Sequence, residues 1–135
     1  MRLNEDQEML RQLARDFAAA ELAPIAAELD RTGHFPLEII SKMAEVGFTA
    51  LNVPEEFGGA GLDEICKVLV ISELAKQCAN TAEVIAVHTL VNDIFLKHGT
   101  QAQKEKYLTA AAEGKSGAFA PTEPGAGSDA AAAKT

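Results

Sequence analysis

EICKVLVISELAKQCA, residues 64–79, decides the fold. Its apolar residues are not confined to one stripe of a 3.6-residue period, whereas a surface helix is apolar on one side only. Such a helix belongs at the centre of a bundle, and Asp63 immediately before it is suited to cap its first turn. Working outward, Asn80 with Glu83 makes a capping-box pattern opening a fifth helix, AEVIAVHTLVNDIFLKH, closed by Gly99. Thr100 and Gln103 repeat the pattern for a sixth helix ending near Gly114.

On the other side of the central helix lies LNVPEEFGGAGLD, residues 51–63, which is too rich in Gly and Pro for helix and reads as a loop. Before it, a third helix begins at Pro36, presents Leu37, Ile40 and Ala44 on one side, and stops at Gly47. The first helix follows the capping residue Asn4, with Leu10, Leu13, Phe17 and Ala20 at helical spacing. Pro24 breaks it, because proline lacks an N–H and clashes with the preceding turn, and IAAELDRTG carries the helix on to Gly33. The expectation is an all-α fold, a six-helix up-and-down type bundle over residues 1–115.

Composition narrows the function. An apolar share of 47% and a mean hydropathy of +0.00 suit a globular chain with a real core. Twelve basic against twenty acidic residues give 12 − 20 = −8, with no basic cluster to follow a phosphate backbone, so nucleic acid is not the expected partner. Cys66 and Cys78 lie too far apart along one helix to bridge and read as reduced, buried small residues. His34, His88 and His98 do not join them at metal-ligand spacing. The N-terminus has no apolar core of a signal peptide and no stretch approaches a membrane span, which makes a soluble, cytoplasmic protein the expectation.

Residues 116–135 change character. SGAFA reads as a short strand, and PTEPGAGSDAAAAKT has turn chemistry with no helix or strand to serve. Glycines at 125 and 127 with Ser128 can aim successive N–H groups at an anion. A dinucleotide fingerprint is not met, since no further strand–helix unit and acidic partner follow. The expected organisation is therefore a helical domain, 1–115, followed by the truncated start of a second domain.

TEPGAGSD at 122–129, preceded by GAFA, resembles the flavin-loop signature of the acyl-CoA dehydrogenase family. VPEEFGGAGLD at 53–63 is similar to that family's loop between its third and fourth helices, and KHGTQAQKEKYL at 97–108 to the start of its sixth. The likeness is collinear over essentially the whole chain and closest in character to the short-chain, butyryl-CoA type. It implies an N-terminal helical domain leading into a middle β-domain, FAD as cofactor, an acyl-CoA thioester as substrate, electron-transfer flavoprotein as electron acceptor, and a homo-oligomer, tetramer or dimer, for the full-length protein. The reaction implied is α,β-dehydrogenation of a short acyl-CoA to the trans-2-enoyl-CoA.

Carried onto this chain, the resemblance puts Phe119, Ala120, Pro121 and Thr122 beside the flavin ring, with Thr122 offering its hydroxyl and N–H. Gly127 and Ser128 meet the flavin pyrophosphate, and Ser128 also the CoA side of the substrate. Ala86, Thr89 and Leu90 fall on turns of the fifth helix that could face the acyl tail, although Leu90, Ile94 and Phe95 read as core rather than pocket. His88 reads as a half-buried helix histidine outside the chemistry. Pro121 departs from the family, which has an aliphatic residue with an N–H at that position. No residue is assigned as catalytic: the family's glutamate base lies in C-terminal parts, and Glu123 reads as a turn residue. The competing reading is a non-enzymatic helical interaction module derived from the family.

Overall fold

The computed structural model describes residues 2–135. Six α-helices form in chain order: α1 (Glu5–Phe17), α2 (Ala26–Thr32), α3 (Leu37–Glu45), α4 (Glu64–Ala75), α5 (Ala79–His98) and α6 (Gln101–Ala112). The capping chemistry does much of the local work. Asn4 accepts from the Gln7 N–H and Gln7 reaches back to the Asn4 N–H; Thr100 and Gln103 do the same for α6. Asp63 accepts from the Cys66 N–H at 2.9 Å and starts α4. At Pro24 the chain responds one turn early, widening to a π-turn over Ala18–Leu22 in which the Ala23 N–H bonds back to the Ala18 carbonyl at 2.9 Å.

α4 packs between α1 and α5, the central place that its apolar composition called for. The main core joins Ala14, Ala18 and Leu22 to Ile39 and Met43 of α3, to Val70 and Leu74 of α4, and to Ala82 and Ile85 of α5. Phe17 lies edge-on against Phe48 with ring centres 5.5 Å apart. A second cluster, Ala50, Val53, Phe57, Leu108 and Ala111, fills the space where the loop after α3 meets α6, with Phe95 packed against it from α5. The loop is itself structured by two single 3₁₀ turns, Phe48–Ala50 and Glu55–Phe57.

Four local expectations need correction. The N-cap of α5 is Cys78, not Asn80, and no side chain caps it; α5 begins two residues earlier than the Asn80–Glu83 pair implies, because Cys78 is anchored in the core and its Sγ lies 3.1 Å from the Thr81 hydroxyl. The buried edge of α1 is Gln7, Ala14 and then Ala18, while Leu13 is 46% exposed and Ala20 also faces solvent. Small residues are selected there because α1 runs close against α4. In α3 the buried face is Ile39, Ile40 and Met43, and Leu37 in the first turn is 65% exposed. SGAFA forms no strand; it has no ladder partner, and Gly117 within it bonds to His88 of α5 instead.

The central helix also holds two charges. Lys67 and Glu73 are buried, while Val68 between them faces solvent. Glu73 is held by Arg15 of α1 at 3.1 Å and Lys76 at 2.8 Å. Lys67 reaches Asp93 of α5 at 2.6 Å and Glu64 at 2.8 Å. Each buried charge thus has two partners, the condition under which burial is tolerated.

Candidate functional site

The site is built where α6 ends and the chain turns back over α5. Gly114, at φ 86°, takes the left-handed conformation that terminates α6, and the Lys115 N–H bonds to the Ala110 carbonyl at 2.9 Å. The turn sends residues 115–120 across α5. Gly117 then meets that helix closely: its N–H donates to His88 Nδ1 at 2.8 Å, and a Cβ added there would lie 2.9 Å from Val91 Cγ1. His88 is only 2% exposed, so the half-buried placement expected from the sequence is replaced by a fully buried one.

Burial pushes the His88 pKa down, against a smaller upward pull from the Thr49 carbonyl. The imidazole is therefore neutral, and since Nδ1 accepts a hydrogen bond, its proton resides on Nε2. Nε2 is buried without a hydrogen-bond partner. Beside this contact is a cavity of about 330 Å³, bounded by His88, Val91 and Phe95 of α5, Tyr107 of α6, and Lys115 and Gly117. Within its lining Phe95 and Tyr107 stack on one another, with ring centres 4.6 Å apart.

Beyond Gly117 the candidate flavin segment is open. Phe119 is 48% exposed, and Ala120, Pro121 and Thr122 are exposed too. A tight turn follows, with Pro124 and Gly125 at its corners; Glu123 and Ala126 exchange backbone hydrogen bonds of 3.0 and 3.1 Å. Gly125 and Gly127 do not use the left-handed region, so the anion-nest conformation anticipated from their spacing is not adopted. Both are bare instead: a Cβ would meet nothing within 4 Å at either. Among the described residues, the N–H groups of Thr122, Gly125, Gly127 and Ser128 donate to nothing. Exposed, unengaged donors on a side-chain-free turn are the equipment for close approach to a phosphate or a flavin edge. Pro121 contributes no donor.

Glu123 is engaged elsewhere. Its carboxylate accepts from the Lys134 N–H at 3.0 Å, the Thr135 N–H at 2.9 Å and the Thr135 hydroxyl. The Thr135 hydroxyl and these two amides hold its pKa below the ordinary glutamate value. The carboxylate holds residues 134 and 135, and its lowered pKa makes it a weaker base than an ordinary glutamate.

The three residues of α5 carried over as acyl contacts are differently placed. Thr89 is buried, its hydroxyl donates to the Ala86 carbonyl at 3.0 Å, and its own carbonyl accepts from Asn52. Leu90 is 42% exposed and is not core. Ala86, Thr89 and Leu90 share one side of the helix by their spacing, but none of them lines the cavity beside His88. The contact between His88 and Gly117 gave no signal in the sequence beyond the histidine itself, since a backbone donor 29 positions away leaves no pattern.

Residues 4–115 match the family model described as acyl-CoA dehydrogenase, N-terminal domain. Acryloyl-CoA reductase (NADH) of Anaerotignum propionicum is 48% identical over 134 residues, which are 98% of this chain and 34% of that protein. The short-chain specific acyl-CoA dehydrogenase of Clostridium acetobutylicum is 42% identical over 98% of this chain and 36% of its own length. The solved structure of butyryl-CoA dehydrogenase from Megasphaera elsdenii superposes with a TM-score of 0.90 at 36% identity, covering all of this chain and 37% of that one. The chain thus spans about a third of the length of the relatives it matches. With its helices, capped turns and loop all falling within that shared third, the chain belongs to the acyl-CoA dehydrogenase family, as its N-terminal helical domain and the segment that follows.

Proposed function

We propose that these residues are the N-terminal part of an FAD-dependent acyl-CoA dehydrogenase that converts a short-chain acyl-CoA to the trans-2-enoyl-CoA, in the fatty-acid metabolism of the cytoplasm, as a homo-oligomer passing electrons to electron-transfer flavoprotein. The observation that carries this reading is the open turn at 119–128, where, among the described residues, the six N–H donors of Phe119, Ala120, Thr122, Gly125, Gly127 and Ser128 stand unengaged on a segment fixed to α5. That donor set fits the flavin. Thr122 offers its N–H and hydroxyl to the ring edge where negative charge accumulates on reduction, and donors already in place stabilise that charge without reorganising. Gly127 and Ser128 approach the pyrophosphate, with Ser128 also toward CoA, and Phe119 and Ala120 border the ring. Ala86, Thr89 and Leu90 of α5 are assigned to the acyl tail.

The chemistry that FAD supplies when bound is acceptance of the substrate's β-hydrogen as hydride. The proton at the α-carbon would be taken by the glutamate base that the family resemblance places in C-terminal parts; Glu123 is tied to Lys134 and Thr135 instead. The test is the longer protein containing these residues, purified and examined for flavin absorbance. Bleaching by butyryl-CoA, with turnover when electron-transfer flavoprotein is added, is the expected result; a folded protein with no flavin, or a flavin unmoved by short acyl-CoA esters, would sink the proposal.

A second reading follows from the 48% identity to an acryloyl-CoA reductase: the same site run toward reduction of a short enoyl-CoA. Consumption of NADH on addition of acryloyl-CoA, faster than the oxidative reaction, would favour it.

A further inference from the structure

We propose that His88 is a positioning residue: its Nδ1, by accepting the Gly117 N–H, fixes where the flavin-contacting segment leaves the helical bundle. The flavin part of this statement rests on the function proposed above; the clamp itself rests on the geometry alone. Three observations converge on Gly117. Its N–H is bound at 2.8 Å by a side chain only 2% exposed. Its Cα lies so close to Val91 that even a methyl group would require that side chain to move, with Cβ distances of 2.9 and 3.1 Å. Upstream, the left-handed Gly114 and the Lys115 hydrogen bond already fix the direction of the chain.

Phe119 follows two residues later, so its Cα stays within about 7 Å of the pinned one, and Thr122 is only three residues further. A free segment of this length samples many orientations, and ordering it on binding opposes affinity. The clamp removes part of that cost before any ligand arrives.

The clamp requires an unprotonated Nδ1, and the surroundings favour that state. The titratable or charged groups around the cavity are Lys106 and Tyr107 of α6 and Lys115 of the connecting segment; no carboxylate lines it. From the 3₁₀ turn the nearest groups are neutral, with the Thr49 carbonyl taken by Asn92 Nδ2 at 3.0 Å. Asp93, on α5, is turned to Lys67 and Asn52. A proton added at Nδ1 would replace the acceptor by a second donor facing the Gly117 N–H and would release the segment.

The experiment uses ¹⁵N-labelled full chain, wild type, His88→Asn and His88→Leu. Asparagine keeps a carbonyl oxygen near the position of Nδ1, whereas leucine keeps only bulk. The imidazole nitrogens of the wild type should report the Nε2–H tautomer, and the Gly117 amide shift should titrate together with His88. In His88→Leu the Gly117 amide should exchange about threefold to tenfold faster, with His88→Asn restoring protection and abolishing the titration. In the longer protein the FAD dissociation constant should rise by about the same factor in His88→Leu and not in His88→Asn. A wild-type Nδ1–H tautomer, or equal Gly117 exchange in all three folded proteins, would overturn the clamp. Failure of the longer protein to bind FAD would instead count against the proposed function, and the Gly117 measurements would still decide the clamp. Should His88→Leu not fold, the wild-type tautomer and titration decide it alone.

Discussion

At the scale of single residues, the loop between α3 and α4 turns on two glycines that are needed for different reasons. A Cβ on Gly59 would sit 2.1 Å from the Val53 carbonyl oxygen and 2.4 Å from its Cβ, so the backbone itself would have to move. Gly61, at φ 60°, has open space around it and is constrained only by its left-handed conformation. Overpacking against backbone outweighs the left-handed penalty. Gly59→Ala should therefore cost about 2–3 kcal/mol, and Gly61→Ala about 1 kcal/mol, in urea unfolding of the chain; equal costs would show that the loop yields freely at Val53. Pro121 allows a functional test at the same scale. It is exposed and has no N–H; on the proposed function, which sets this position beside the flavin, Pro121→Leu in the longer protein should tighten FAD binding by about threefold to tenfold, one neutral hydrogen bond. An unchanged dissociation constant would mean that the position does not contact the cofactor. Neither the Gly59 contact nor the His88 clamp was legible in the sequence: each joins a side chain or Cα to a backbone group brought near only by packing.

At the scale of elements, helix ends were more legible than helix faces. Asn4, Asp63 and Thr100 cap as their sequences suggest, because a cap is a contact between neighbours three residues apart. The Asn80–Glu83 pattern misled because a tertiary anchor at Cys78 competed with it and prevailed. The faces of α1 and α3 are legible only in part: Leu10 and Phe17 pack on the core and Ile40 is buried, as their spacing implies, while the close approach of α1 to α4 selects Ala14 and Ala18 and leaves Leu13 outside. Buried charge was missed altogether, since pairs such as Lys67 with Asp93 join different helices. That pair makes a sharp prediction. The Lys67 pKa is raised: burial works downward but is outweighed by the hydrogen bonds that its ammonium donates to Asp93 and Glu64. Breaking a fully buried pair commonly costs 3–5 kcal/mol, but Asp93 keeps Asn52 at 2.7 Å and Lys67 keeps Glu64. Lys67→Met and Asp93→Asn should each cost about 2 kcal/mol, with a coupling of about 1–2 kcal/mol in a double-mutant cycle. Additive effects would show that the ion pair does not hold α4 to α5.

At the scale of the whole molecule, acid should destabilise the fold in two separate steps. Glu73 is buried and its pKa is lowered, first by hydrogen bonds from Arg15 and then by Lys76; Asp63 is lowered chiefly by the Cys66 N–H at its cap. A carboxylate whose folded pKa is depressed stabilises above its unfolded value, about 4.3 for Glu, and that stabilisation is lost as pH falls through the folded value. His88 works higher up the scale. Its folded pKa is lowered by burial, so the unfolded chain takes up a proton first, near pH 6.5, and stability falls from there down to the folded value. The thermal midpoint of the chain should thus begin to decline as pH falls below roughly 6.5, and decline again below about pH 4.3. Each step has its own variant. His88→Asn should flatten the upper decline and leave the lower one. Glu73→Gln should cost about 2 kcal/mol at pH 7, and its deficit against wild type should shrink as pH falls below the unfolded value of about 4.3 toward the lowered value of the native carboxylate. A deficit constant from pH 7 to 3 would mean that Glu73 stabilises by shape and not by charge. An upper decline that persists in His88→Asn would assign it to some other group, and the buried imidazole would then carry no proton-linked energy in the fold.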